Sequence, residues 1–485
     1  MLDLPELHGK VLQHLGRHDL TRCAQVNKQW HALAILYIWR DISCVCSGDE
    51  RGEAFRRIVQ DDCLQENGQG EGTPEPSTLS KYGHMIRVLP SPMNLESVLR
   101  SQACTQQGNE PTAYNLLFHL FERLSKAQVM VLRYQFKDPE SDDMKSILAF
   151  TLPRVRRLVI RASLQCTQSE FFKFKSVLNQ CSTTLKRLDL NINFLRVYEA
   201  VDMKGEAAED ESICWTSLKC VTLRHTPDTS DAGPMWSWMW KRFGQVERLN
   251  VRKIDKSTPS FVQAMLAYMP NLHEISMGDF DLFDYDTPPE DAMKDDVVAA
   301  LLSGSRHGWK SVEMEAARLG RKSMNALAMH YSTLEDLYLD GNYDIRGCDV
   351  VQVLRSCPHL HTLTYYNRSN SKSKVDGMTF VDLDPDTGLL KPWLCERSLR
   401  VLRVKLFGIP RSDLEGKSIL LETYPRQGHG IQSQVYDRLG RLTNLEMLRL
   451  GGQTGAPLYD CLEMSLESGL DKLSGLESLK ELNVE

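Results

Sequence analysis

Hydrophobic positions along this chain follow two alternating rhythms. From Val155 to the last residues a short phrase recurs, with apolar residues at its first, fourth and sixth positions and mostly polar residues between them. The phrases begin at Val155, Leu185, Leu218, Val246, Leu272, Trp309, Leu334, Leu360, Leu399, Leu445 and Leu479. The period of two within each phrase predicts a half-buried strand. Between phrases the spacing turns helical, as in Phe171-Phe172 with Val177-Leu178, Phe261-Val262 with Met265-Leu266, and Val350-Val351 with Val353-Leu354. Several of these helical stretches close on small polar or proline residues before the next strand: Cys181-Ser182-Thr183-Thr184, Met269-Pro270-Asn271 and Cys357-Pro358-His359.

The eleven phrases recur at a mean interval of about 32 residues, which falls in the range of strand–helix repeats. The shortest interval, Trp309 to Leu334, is 25 residues and the longest, Leu399 to Leu445, is 46. Long intervals imply loop insertions, as at 366–398 and 407–430. One strand and one helix cannot bury their apolar faces alone, so such units stack. The expected fold class is therefore α/β: residues 81–485 form an irregular leucine-rich repeat solenoid with parallel strands on a concave face and helices on a convex face. Earlier strands are expected near 81–89 and 129–134. The final phrase has no polar cap after it, so it predicts either an exposed edge strand or a truncated product.

The first forty-six residues carry a different pattern. Leu4-Pro5 can open a helix, since proline suits the first turn. Leu7, Val11, Leu12 and Leu15 then share one face. Gly16 is a plausible stop, Asp19 a plausible N-cap for a second helix with Leu20, Cys23, Val26 and Trp30, and Leu33 to Trp39 a third. Three such helices make a poor core by themselves and leave apolar surface for a partner. Residues 47–80 are polar, with Gly-Gln-Gly-Glu-Gly-Thr-Pro-Glu-Pro at 68–76, and predict a flexible linker.

The N-terminal segment resembles the F-box, through Leu4-Pro5, Val11, Leu15, Asp19-Leu20, Val26 and Trp30, over roughly residues 2–42. Its step from Leu-Pro to the next aliphatic pair is one residue shorter than the commoner pattern. The repeats resemble the leucine-rich repeats of fungal-type F-box proteins, including Cys357-Pro358-His359-Leu360, although the consensus Asn or Cys after the strand is mostly absent. This resemblance implies a helical module that docks on a Skp-type adaptor, and through it a cullin. The implied contacts are Leu4, Pro5, Leu7, Val11, Leu12, Leu15, Leu20, Val26 and Trp30. It also implies a substrate receptor of an SCF-type ubiquitin ligase, serving ubiquitin-dependent degradation, with an unidentified protein substrate on the repeats. The alternative is a leucine-rich-repeat scaffold that binds a protein without ubiquitination.

If the apolar positions point inward, the third, fifth and seventh residues of each phrase line the concave face. They order by charge: Arg157, Arg161, Arg187, Arg224, Arg248 and Arg252 early; Glu274, Glu313, Glu315, Asp336 and Asp340 in the middle, with Tyr338; then Tyr366, Arg403, Lys405 and Arg449. A basic–acidic–basic face suits a protein partner of complementary charge, with Tyr338 and Tyr366 as anchors. The same residues also fit ordinary solvated strand positions.

Composition narrows the classes. A net charge of −6 carries no nucleic-acid signature. There is no apolar run long enough for a membrane helix and no basic-then-apolar leader, so neither a membrane span nor secretion is expected. Thirteen scattered cysteines fit reduced thiols in the cytosol or nucleus. Phosphate-loop, dinucleotide, nucleophile-elbow and zincin motifs are missing from the sequence, so neither enzyme activity nor a cofactor is expected. Cys357-Pro358-His359-Leu360-His361 offers metal-ligand types at the wrong spacing, and Cys44-Val45-Cys46 suits packing. The acidic run from Asp279 to Asp296 lacks calcium-loop order and predicts a solvated insertion. Trp236, Trp238 and Trp240 predict helix packing near Phe243.

Overall fold

The computed structural model describes residues 11–12, 14–40, 54–60, 86, 88–89, 131–135, 155–162, 175–192, 215–224, 238–252, 258–278, 293–315, 319–339, 344–365, 375–409, 430–451 and 462–484. The chain divides into two compact units, residues 1–222 with 233–235 and residues 223–232 with 236–485.

In the first unit, helices α1 (Arg17–Ala24) and α2 (Lys28–Arg40) pack on a small core of Leu12, Leu20 and Ala34. Leu15, Cys23, Trp30, Leu33, Tyr37 and Ile38 surround it. The helical turn at residues 11–12 has ended before Gly16, which is also the N-cap of α1, and the Gly16 carbonyl accepts from Leu20 N–H. Asp19 lies inside the first turn of α1 rather than at its N-cap. The cap of the next helix is Asn27, whose Oδ1 accepts from Trp30 N–H at 2.9 Å. The expected helix from Leu20 to Trp30 is thereby broken in two. Within the stretch expected to be a flexible linker, residues 54–60 are helical, with Phe55 and Val59 buried. Burial of one aromatic and one aliphatic side chain anchors this turn despite its polar neighbours.

Strands β1 (Val88–Leu89), β2 (Val131–Gln135), β3 (Arg157–Ala162), β4 (Arg187–Ile192) and β5 (Cys220–Leu223) follow in sequence order. Pairing from β1 to β4 is parallel. Val155, Leu158 and Ile160 of one phrase, and Leu185, Leu188 and Leu190 of the next, are buried. Each such side chain contributes about 1.5–3 kcal/mol by leaving water.

The second unit continues the pattern with β6 (Arg248–Val251), α3 (Thr258–Tyr268), β7 (Glu274–Met277), α4 (Asp295–Ser303), β8 (Ser311–Met314), α5 (Arg321–Ala328), β9 (Asp336–Tyr338), α6 (Gly347–Ser356), β10 (Thr362–Tyr365), β11 (Val375–Asp376), α7 (Gly377–Val381), β12 (Val401–Phe407), α8 (Ile431–Gly440), β13 (Met447–Gly451) and β14 (Glu481–Val484). The main strand order is β6-β7-β8-β9-β10-β12-β13-β14, and β11 pairs with β12 off that path. This is a solenoid-like succession of strand–helix repeats. Its apolar phrase positions face the helices: Trp309 Nε1 donates to Leu302 O of α4 at 2.8 Å, and the Tyr365 hydroxyl donates to Ile345 O at 2.9 Å. In the last phrase the burial fades, and Leu482 is 39 % exposed.

One hydrogen-bond device recurs between successive phrases within each unit. The carbonyl of a phrase's second residue accepts two N–H groups from the second and third residues of the next phrase. Glu247 O takes His273 and Glu274, His273 O takes Lys310 and Ser311, and Lys310 O takes Glu335 and Asp336. The same device follows at Glu335, His361, Arg400 and Glu446, and in the first unit at Arg156 and Lys186. Polar residues just ahead of the phrase add a second tie. Asn271 Nδ2 donates to Gly244 O, Thr333 Oγ1 to Trp309 O and Asn444 Nδ2 to Arg397 O. Asn271 belongs to one of the stretches that close the helical segments in the sequence, and Thr333 and Asn444 take the same place ahead of their own phrases.

The longest insertion with described residues is held by buried charge. Asp382, in left-handed conformation, receives the Arg355 guanidinium and Trp393 Nε1. Arg438 of α8 is fully buried and donates to Val381 O, Lys391 O and Asp382 O, and to Glu396 Oε1 at 3.2 Å. Burial pushes its pKa down to about 10, although Glu396 and Asp382 favour the charged form, so it remains a cation at neutral pH.

Candidate protein-docking surfaces

Two surfaces have the make-up of docking sites. The first belongs to the N-terminal helices. Leu4, Pro5 and Leu7 lie outside the described residues. Leu12 and Leu20 are buried and hold the helices together. Leu15 and Trp30 are half-buried against that core. Val11 is 46 % and Val26 65 % exposed, and Leu36, which the sequence pattern does not single out, is 41 % exposed. The expected contact set thus separates into a packing group and an accessible apolar group.

The second is the strand face opposite the helices. In the first unit, Arg157 and Arg187 stand in register on β3 and β4. The expected block of basic charge is not uniform there, because Asp189 is the fifth residue of its phrase. Arg157 Nε donates to Asp189 Oδ2 and Arg187 Nε to Asp189 Oδ1, each at 2.8 Å. Burial pushes the Asp189 carboxyl up, but the hydrogen bonds from Arg187 and Arg157 and from Thr222 outweigh it and hold its pKa below the usual value.

In the second unit, Arg224 and Arg252 are exposed, and Arg248 pairs with Glu274 on the neighbouring strand. The fifth positions form one in-register row: Asn250, Ser276, Glu313, Tyr338, Thr364, Arg403, Arg449 and Asn483. Asp336 stands beside Tyr338 at the start of β9. Burial and the charges of Asp336 and Glu313 push the Tyr338 phenol up, against a hydrogen bond with Thr362. Lys405 is buried, and Tyr366 and Asp340 lie outside the described residues.

Other candidates settle into structure. Asp295, at the end of the acidic run, is no solvated loop residue: it accepts from Gly320 N–H at 2.8 Å, Ser323 N–H at 2.9 Å and Lys322 N–H at 3.2 Å at the start of α5. Cys357 is buried at the end of α6, and burial raises its thiol. Burial likewise pushes the thiols of Cys181 and Cys395 up to about 12. Trp238 and Trp240 pack inward, with Trp240 edge-on to Phe243 at 5.8 Å between ring centres. No helix among the described residues is long and apolar enough to cross a membrane.

Residues 2–45 match the F-box-like family, so the N-terminus carries an F-box-like domain. No curated protein matches the chain. Among solved structures, one chain of the crystal structure of the Rad7 and Elc1 complex in yeast is similar, at 13 % identity and a TM-score of 0.40. That match covers 83 % of this chain and 87 % of the other.

Proposed function

We propose that this protein is a substrate-recognition subunit of an SCF-type ubiquitin ligase, acting in the cytosol or nucleus. The observation that carries this reading is an F-box-like domain at residues 2–45 in a chain whose remainder builds strand–helix repeats with a polar, charged strand face. The domain would hold a Skp-type adaptor, and through it a cullin, with Leu4, Pro5 and Leu7 beside the exposed Val11, Val26 and Leu36. The strand face would hold a protein substrate. Catalysis would reside in other subunits, and this chain would act by proximity, raising the effective concentration of substrate near the ubiquitin donor.

Capture of a purified Skp-type adaptor by the full chain tests the first half of this reading. We expect capture by the native chain and its loss with Val26→Asp together with Leu36→Asp, at unchanged circular dichroism. A native chain that captures no adaptor removes the ligase assignment.

A further inference from the structure

The in-register row across the second unit holds charges that its own residues do not neutralise. Glu313 and Asp336 have no cationic partner within 4 Å among the described residues. Tyr338 and Thr364 follow on the next two strands, and then come Arg403 and Arg449. Among the described residues the Arg403 guanidinium reaches only the thioether of Met447, with Nη2 at 3.1 Å and Nε at 3.4 Å from Sδ. A thioether is a weak acceptor and balances no charge. Among the described residues Arg449 has one carboxylate, Glu481, at 4.0 Å, and its buried Nε has no partner. Thr364 is buried in register between Tyr338 and Arg403, and its hydroxyl has no partner either. Unsatisfied buried donors and unneutralised charges are costly unless a ligand completes them.

We propose that this row binds an extended protein segment carrying one basic and one acidic side chain at a set separation. The basic side chain pairs with Glu313 and Asp336, and an aspartate or glutamate carboxylate sits on Arg403 and Arg449. Two guanidiniums facing one distant carboxylate retain about one positive charge, which a single carboxylate balances. Neighbouring strands lie about 4.8 Å apart, so the two to four strand steps from β8 and β9 to β12 and β13 span roughly 10–19 Å. An extended chain advances about 3.3–3.6 Å per residue, so the two charged side chains stand about three to six residues apart. Tyr338 and Thr364 lie under the stretch between them. This names the class of substrate for the strand face proposed above and rests on that reading.

The test uses the full chain and fluorescein-labelled peptides by fluorescence anisotropy. Each peptide has one Lys and one Asp in a Gly/Ser/Leu background, at separations from short to long and in both orders. We expect affinity to peak at separations of about three to six. Arg403→Gln with Arg449→Gln should weaken the best peptide by about tenfold or more. Arg403→Glu with Arg449→Glu should recover binding to a peptide in which Asp is replaced by Lys, and this recovery excludes misfolding as the cause of loss. Affinity that ignores separation, or a double Gln variant that binds as the native chain does, would overturn the proposal. So would binding that appears only when phosphoserine replaces Asp. Adaptor capture is measured on the same preparations. Peptide selectivity without adaptor capture supports this assignment and overturns the ligase one, and adaptor capture without peptide selectivity does the reverse.

Discussion

The Arg438 guanidinium lies 4.4 Å from the centre of the Trp393 ring, while Trp393 Nε1 donates to the carboxylate of Asp382 at 3.1 Å. One tryptophan therefore bridges a buried cation and a buried anion that are far apart in sequence. Around it gather α6 through Arg355, the end of α7 through Val381, and α8 through Arg438.

Arg438→Met should destabilise the second unit by about 3–5 kcal/mol, because it strands the carbonyls of Val381 and Lys391 and leaves Asp382 and Glu396 short of positive charge. Urea unfolding followed by tryptophan fluorescence would measure it. A shift in midpoint no larger than that of an exposed control such as Arg441→Met would contradict the network's role.

Asp189 makes the stability of the first unit depend on pH. Its folded pKa is held below the ordinary value of 3.8, so its contribution is complete above that value. It is lost as the pH falls through the lower folded value. Asp189→Asn should cost about 2 kcal/mol at neutral pH, since two in-register arginines then face each other. It should also flatten the acid limb of stability below about pH 4. Thermal melts between pH 2.5 and 7 would show both effects, and parallel acid limbs would count against the assignment.

Asp295→Ala removes the carboxylate that serves three N–H groups at the start of α5, whose N-cap Gly320 offers no side chain. A loss of about 1 kcal/mol is expected. Hydrogen exchange should quicken first at Lys322 and Ser323, and protection unchanged at those amides would argue against the cap.

The N-terminal helices separate folding from docking. Leu12→Asp should collapse α1 and α2, because Leu12 is fully buried. Val26→Asp, at an exposed position, should leave their helicity intact. Equal loss of helical signal in both variants would mean that Val26 is a packing residue.

The repeat fold was legible because Leu188 and Leu190, or Val312 and Met314, alternate with polar residues, and period-two alternation has one stable reading beside helical spacing. The exposure of Val26 was not, since a helical face is apolar whether it meets a core or solvent. Asp19 and Asn27 are both good capping types, and only chain geometry chose Asn27. The charge order read from the arginines passed over Asp189, and its pairing with Arg157 depends on register between strands 32 residues apart, which no local pattern carries. Phe55 and Val59 were hidden by the polar average of their neighbourhood. The contacts of Arg438 span 42 to 57 residues of irregular chain, beyond any local pattern.

The shared carbonyl between successive phrases uncouples chain length from pitch. The 46 residues from Leu399 to Leu445 advance the sheet by one strand, as do the 25 from Trp309 to Leu334. Loops between phrases can therefore lengthen, shorten or change sequence while the row from Asn250 to Arg449 keeps its step, as marks on a ruler stay fixed however it is bound.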